Sequence, residues 1–168
     1  QCSPMHAGSS VVFLGDAAHG MVPFYGQGLN CGLEDVRIFF EELDAALAAH
    51  GKLPDAKGAA LQNYTARRSA DVRAIQLLAQ ENYTEMRSKV VRRDYQLRKW
   101  LDGVLSRTLP AGTWKSLYEM VTFSNMGYAT ARRTELRQQR ILRDTLSAAG
   151  LTVLWVASWA AYRVCRSA

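Results

Sequence analysis

The feature that most constrains the fold of this chain is a glycine-rich segment between a short apolar run and a long amphipathic stretch. The apolar run is VVFL at 11–14, and the segment GDAAHGMVPFYGQGLN follows it at 15–30. Apolar residues then recur at helical spacing from Leu33 to Leu47, which predicts one helix that ends near Gly51. A buried strand that leads through glycines into a helix is typical of the ligand-binding edge of an α/β sheet.

Three groups in the glycine-rich segment suit a ligand. Gly15 has no Cβ, so a ligand can approach the backbone closely. Asp16 stands at the expected exit of the strand, where its carboxylate can accept hydrogen bonds from a sugar-like hydroxyl chain. The unpaired N–H groups of Gly28, Leu29 and Asn30 at the next helix start favour an anion or an electron-rich carbonyl. An ordinary tight strand-to-helix turn has similar residues, so the segment alone leaves both interpretations open.

His19 is the candidate catalyst of this segment. The sequence places no carboxylate or cysteine at relay spacing from it, so we predict a structural hydrogen-bonding role and no catalytic side chain. Cys2, Cys31 and Cys165 are widely separated and odd in number. Their spacing predicts neither a metal site nor a disulfide framework, and it favours a reducing compartment.

Beyond Gly51 the chain is predicted to be mainly α-helical. Gly51 to Asp55 has the composition of a linker, and Pro110 with Gly112 forms the clearest later break. Apolar periodicity predicts helices at about 57–79 and 81–108 between these breaks, and at 113–122 and 125–142 after the second one.

The last part of the chain combines basic and apolar residues. Residues 145–162 contain no charged side chain, and as a helix they would rise about 27 Å, just short of a hydrocarbon core of about 30 Å. We therefore expect a C-terminal membrane anchor over 125–168, with a buried core helix and an interfacial helix as alternatives. The formal charge is +6. Because the basic helix lacks interleaved aromatics, we expect lipid phosphates rather than nucleic acid as its partner.

The beginning of the chain suggests a larger protein. The chain does not start with Met, and its first residues resemble neither a secretory signal nor a transit peptide. Its first strong element is a strand that needs partners in a sheet. We therefore expect the C-terminal part of a longer polypeptide.

Several short motifs carry a family resemblance. GDAAH, then Pro23, then GQGLN and EDV together resemble the second FAD-binding motif of the class A flavoprotein aromatic hydroxylases. The resemblance implies the C-terminal part of an α/β, Rossmann-like FAD domain at 1–50, a helical substrate-pocket domain at 51–124 and the anchor segment at 125–168. It further implies that Asp16 holds the ribityl chain of FAD. Gly28, Leu29 and Asn30 would face the flavin ring.

Two later motifs narrow the resemblance to the branch of this family that hydroxylates kynurenine. They are ENYTEMR at 81–87 and LYEMVTFSNMGY at 117–128. The resemblance implies that the substrate L-kynurenine contacts four residues, namely Asn82, Tyr118, Met86 and Phe24. It also implies conversion to 3-hydroxykynurenine with FAD, NADPH and O₂, at the cytosolic face of the mitochondrial outer membrane. By composition alone, Met86 and Tyr118 would be core residues and Asn82 a solvated helix residue.

The sequence departs from the family pattern in two respects. It contains no G-x-G-x-x-G turn for the ADP part of FAD and no counterpart of the early arginine that binds the kynurenine carboxylate. We expect residues 1–168 alone neither to hold FAD nor to turn over kynurenine. The alternatives are another flavin-dependent ring hydroxylase or epoxidase and, in a different class, a membrane-tethered helical binding module.

Overall fold

The computed structural model describes residues 2–89, 92–110 and 112–167. These residues are mostly helical with one small sheet, which agrees with the mainly α prediction. They form two compact units, Gln1–Arg132 and Arg133–Ala168. The first unit contains every residue that the sequence assigns to a cofactor or a substrate.

The sheet is a two-stranded antiparallel hairpin of β1, His6–Ala7, and β2, Val11–Val12. His6 lies opposite Val12, and Ala7 lies opposite Val11. The predicted strand at 11–14 is therefore too long by two residues. Phe13 and Leu14 follow the strand and pack against one buried cluster, whose members are Met5, Ala18, Ile38, Tyr64 and Val72.

The glycine-rich segment contains two short helical pieces that the sequence did not predict. They are α1, Asp16–His19, and a 3-10 turn, Pro23–Tyr25. The long helix that follows, α2, spans Gly28–His50 and ends at Gly51 with φ +73°. A left-handed residue at this place favours glycine, and the predicted helix end is confirmed.

The third helix differs from its prediction. α3 is one helix of 32 residues, Leu53–Thr84, which begins inside the predicted linker and extends past the predicted end near residue 79. Pro54 lies in its first turn, where the missing N–H removes no helical hydrogen bond. The predicted single helix at 81–108 is wrong, because a π-helical turn at Glu85–Lys89 and an extended Arg92 precede α4, Arg93–Thr108. Residues 90 and 91 lie outside the described part of the chain.

The core of the first unit lies where α2 and α3 pack along each other. A short helix, α5, covers Leu117–Thr122, and the side chain of Ser116 caps it by accepting a hydrogen bond from the N–H of Glu119 at 3.2 Å. Met120 of α5 is fully buried in a cluster with Cys31 of α2 and Ile75 of α3. The predicted helix at 113–122 is thus shorter than expected.

The last helix, α6, spans Tyr128–Ser167 and joins the two segments that were predicted as separate helices. Residues 143–159 in the second unit are all exposed. Within the described residues, no helix combines the length and the apolar character needed to cross a membrane. The predicted membrane-spanning segment at 145–162 is therefore not supported, although the side chains of its last three residues lie outside those described.

Candidate functional site

The turn that enters α1 has a backbone shape that requires glycine. Gly15 has φ +55°, a region that side chains with a Cβ rarely adopt. A Cβ on Gly32 of α2 would meet the Cα of Gly15 at 3.5 Å. The N–H of Gly15 donates a 2.9 Å hydrogen bond to Oδ2 of Asp35. The turn is therefore held directly against α2.

Asp16 is the first residue of α1, immediately after this turn. Its side chain is exposed, and in the described part of the chain no group donates a hydrogen bond to its carboxylate. Asp16 follows the last residue of β2, Val12, by four residues, and the described sheet before it is a two-stranded antiparallel hairpin. Asp16 is thus available to accept hydrogen bonds from a ligand.

The beginning of α2 also has the predicted form. The helix starts at Gly28, and no side chain caps it. The carbonyl of Gln27 is the first acceptor of the helix, and it accepts a hydrogen bond from the N–H of Cys31 at 2.9 Å. The amides of Gly28, Leu29 and Asn30 therefore have no acceptor within the helix. The side-chain amide of Asn30 donates to Oε1 of Gln27 at 2.9 Å. Leu29 is 75% exposed, which leaves this end of the helix open to a ligand.

A buried carboxylate that the sequence analysis did not single out joins the turn to both long helices. Asp35 of α2 is fully buried, and it accepts hydrogen bonds from the Gly15 N–H, from Nε2 of His19 and, at 2.7 Å, from Nε of Arg68. Burial raises the pKa of Asp35, but the hydrogen bonds from His19 and Gly15 and the charge of Arg68 outweigh it and lower the pKa overall. Asp35 is therefore ionised at neutral pH.

His19 is buried against this carboxylate. Its predicted structural role agrees with the contact. The sequence places no carboxylate or cysteine at relay spacing from His19, but the fold brings both Asp35 and Cys31 close to it. Sixteen residues separate His19 from Asp35 in the sequence, so the contact depends on the fold and not on local spacing. The available signal was the EDV motif, which contains Asp35.

Arg68 of α3 completes the cluster. Its guanidinium donates at 3.3 Å to both the carbonyl oxygen and the sulfur of Cys31. Burial raises the pKa of the Cys31 thiol to about 12, more than the charge of Arg68 lowers it. The thiol is therefore neutral and a poor nucleophile.

The ligand atoms of His19, Cys31 and Asp35 lie within 4.8 Å of one another, a spacing that a metal ion could use. However, the guanidinium of Arg68 already supplies a cation to two of the three. The cluster is therefore better explained as a buried ion-pair network.

Three of the four predicted substrate residues lie together. The side-chain amide nitrogen of Asn82 donates to the carbonyl of Phe24 at 2.6 Å and approaches the sulfur of Met86 at 3.9 Å. The ring of Phe24 packs on Tyr83 with a centroid distance of 4.6 Å. Met86 and Phe24 are partly to largely exposed, so the prediction from composition that Met86 is a core residue does not hold within the described residues.

The fourth predicted substrate residue, Tyr118 of α5, lies apart. Its ring meets Phe123 edge-on at 5.7 Å. In the described part of the chain, no hydrogen bond or ring contact joins Tyr118 to Asn82, Met86 or Phe24. Tyr118 is 61% exposed, so it is not a core residue either.

A shallow hollow of about 340 Å³ lies between the Gly20–Val22 segment and α3. None of the eight predicted site residues lines it. Its lining comprises Gly20, Met21, Val22, Arg73, Gln76, Leu77 and Gln80. The predicted cofactor and substrate groups therefore lie outside this hollow.

Comparison with known proteins agrees with the resemblance seen in the sequence. Residues 1–79 match a family described as FAD binding domain. The chain is 46% identical over 162 residues to the kynurenine 3-monooxygenase of Mycosarcoma maydis, which covers 96% of the chain and 26% of that protein. It is 45% identical over 161 residues to the enzyme of the same name from Phaeosphaeria nodorum, with 93% and 32% covered. The chain thus spans about a third or less of the length of these relatives.

Proposed function

We propose, on the premise that this chain is a relative of the kynurenine 3-monooxygenases, that it contributes flavin and substrate contacts to an FAD-dependent aromatic hydroxylase. Its residues 1–79 match an FAD binding domain. The reaction would convert L-kynurenine to 3-hydroxykynurenine, consuming NADPH and O₂ and forming water. The observation that carries this proposal is the pairing of the free Asp16 carboxylate with the uncapped start of α2.

The residues present fit the flavin. Gly28 opens α2 with no atom within 4 Å of the place where a Cβ would stand, so packing within the described chain does not explain this glycine. Close approach of a ligand to the backbone would explain its presence. We assign the ribityl hydroxyls to Asp16 and the ring carbonyls to the amides of Leu29 and Asn30.

In the proposed mechanism, FAD supplies the redox chemistry that activates O₂ with electrons from NADPH. Asp16 orients the cofactor by accepting hydrogen bonds from its hydroxyl chain. The amides at the start of α2 offer fixed partial positive charge, which stabilises negative charge on the ring without reorganisation. In this way, α2 would favour the reduced cofactor.

The Asn82, Met86 and Phe24 group supports the assignment of an aromatic substrate with polar ends. The amide nitrogen of Asn82 is used by the carbonyl of Phe24, and within the described residues nothing donates to its amide oxygen. That oxygen can accept a hydrogen bond from a substrate amine. The thioether of Met86 and the ring of Phe24 supply apolar surface for an aromatic ring.

Turnover by the full-length protein tests this proposal. We expect kynurenine to accelerate NADPH oxidation and to yield 3-hydroxykynurenine, while tryptophan at the same concentration yields no hydroxylated product. Hydroxylation of a different ring with no response to kynurenine would favour another flavin-dependent hydroxylase. A protein that binds no FAD and oxidises no NADPH would contradict the proposal and favour a helical binding module.

The second unit supports a proposal on location. Arg140 and Arg143 precede an exposed apolar stretch that includes Leu151, Trp155 and Trp159. We propose that this segment attaches the protein to a membrane surface. The family resemblance implies that this membrane is the mitochondrial outer membrane, with the protein facing the cytosol. Deleting 144–168 should shift the full-length protein from the membrane pellet to the supernatant of fractionated cells. An unchanged pelleted fraction would contradict the proposal.

A further inference from the structure

Arg68 is a buried cation placed between two carboxylates. Its side chain is almost fully buried in the middle of α3. Nε lies 2.7 Å from Oδ1 of Asp35, and a terminal nitrogen lies 3.7 Å from Oδ2 of Asp71. Replacing a buried ion pair by apolar residues of similar volume often leaves the stability of a protein unchanged or increases it. Stability alone therefore does not explain a buried arginine in this position.

On one side, Arg68 contacts Asp35, which holds the turn at Gly15 and Asp16. We call this turn the flavin turn, because Asp16 is the proposed ligand of the ribityl chain. Asp35, held by Arg68, accepts the N–H of Gly15 at 2.9 Å. Gly15, which has a positive φ of +55°, sets the direction in which the chain enters Asp16. Fixing the Asp35 carboxylate therefore fixes the backbone immediately before the proposed ribityl ligand.

On the other side, Arg68 lies near Asp71, which holds the connection between α5 and α6. Oδ1 of Asp71 accepts the N–H of Ala129 at 2.8 Å, at the start of α6. A Cβ on Gly127 would lie 2.9 Å from Oδ2 of Asp71, so this glycine permits the close approach. Met120 of α5 and Tyr128 of α6 share one buried cluster. The position of α5, which carries the proposed substrate residue Tyr118, thus depends on this contact.

We propose that Arg68 is a positioning residue that holds the flavin turn through Asp35 and the α5–α6 connection through Asp71. Neither Arg68 nor the two carboxylates need to touch a ligand for this role. The arginine orders both segments from one buried position. This inference rests on the proposed function only for the identity of the two ligands.

Amide hydrogen exchange tests the positioning without any ligand. In the full-length protein, Arg68→Met should speed exchange at the Gly15 and Ala129 amides together by about tenfold, the effect of a weakened hydrogen bond. Arg67→Met is the matched control, because Arg67 is the exposed neighbour that pairs with Glu41 and Glu42. It should leave both amides unchanged. If Arg68→Met does not fold, Arg68→Lys should show the same joint effect at smaller amplitude, and unchanged exchange at either amide would overturn the inference.

Measurements of FAD affinity and of the KM for kynurenine distinguish the role of Arg68 at the flavin turn from its role at the α5–α6 connection. Arg68→Lys should weaken FAD binding and raise the KM for kynurenine, each by about tenfold, with little change in kcat at saturation. Asp71→Asn should raise the KM and leave FAD affinity within about twofold. Equal losses of both in Asp71→Asn would indicate general destabilisation and contradict separate positioning. If the wild-type protein binds no FAD, the proposed function fails, and the amide exchange result still decides the role of Arg68.

Discussion

Replacement of Asp35 by alanine lowers the free energy of unfolding by about 3–5 kcal/mol, the usual cost of removing one partner of a buried ion pair. Three donors lose their acceptor, namely the N–H of Gly15, Nε2 of His19 and Nε of Arg68. Among the described residues, the carboxylate that then remains near the Arg68 charge is the more distant one of Asp71, at 3.7 Å. Urea unfolding of the full-length protein measures the loss.

Asp44→Ala is the matched control for this substitution. Asp44 lies on the same helix but is exposed, so its removal should change stability by less than about 0.5 kcal/mol. Equal effects of the two substitutions would contradict the structural role of the Asp35 network.

The effect of Asp35→Ala depends on pH in a defined direction. Burial alone raises the pKa of Asp35, but its hydrogen bonds and Arg68 bring it below the ordinary value of 3.8. The ionised carboxylate therefore stabilises the fold fully at a pH above the ordinary pKa. This stabilisation is lost as the pH falls below 3.8 and through the lower pKa that Asp35 has in the folded protein. The stability difference between wild type and Asp35→Ala should therefore narrow below pH 3.8.

Replacement of Asp16 by alanine should weaken FAD binding to the full-length protein by roughly tenfold to a hundredfold, the range for a hydrogen bond to a charged group. Its stability without ligand should stay close to that of wild type, because the side chain is exposed and makes no hydrogen bond within the described residues. Asp55→Ala is a suitable control, since Asp55 is an exposed carboxylate at the start of α3. Flavin fluorescence titration measures both affinities.

The sequence predicted those features that depend on local signals. The helix over Gly28–His50 follows from apolar periodicity and from the glycine that ends it. The free carboxylate of Asp16 and the uncapped start of α2 follow from the order strand, glycines, helix. The roles that the family resemblance gives to Asn82, Tyr118, Met86 and Phe24 stay predictions, although three of these residues lie together.

The features that the sequence missed depend on contacts between distant segments. Asp35 and Arg68 are separated by 33 residues. The EDV motif contains Asp35, but its local sequence does not show that this carboxylate is buried or that it pairs with Arg68. The continuity of α3 through Pro54 was missed because a proline in the first turn of a helix resembles a proline in a linker. The partner of β2 was missed because β1 has only two residues.

The central claim is that the Gly15–Asp16 turn and the start of α2 together bind the flavin, and FAD binding by the full-length protein tests it most directly. We expect purified wild-type protein to carry about one FAD per chain or to take it up on titration, and we expect Asp16→Ala to retain much less under the same conditions. Wild-type protein that stays colourless in excess FAD, or Asp16→Ala protein that binds FAD as tightly as wild type, would contradict the claim.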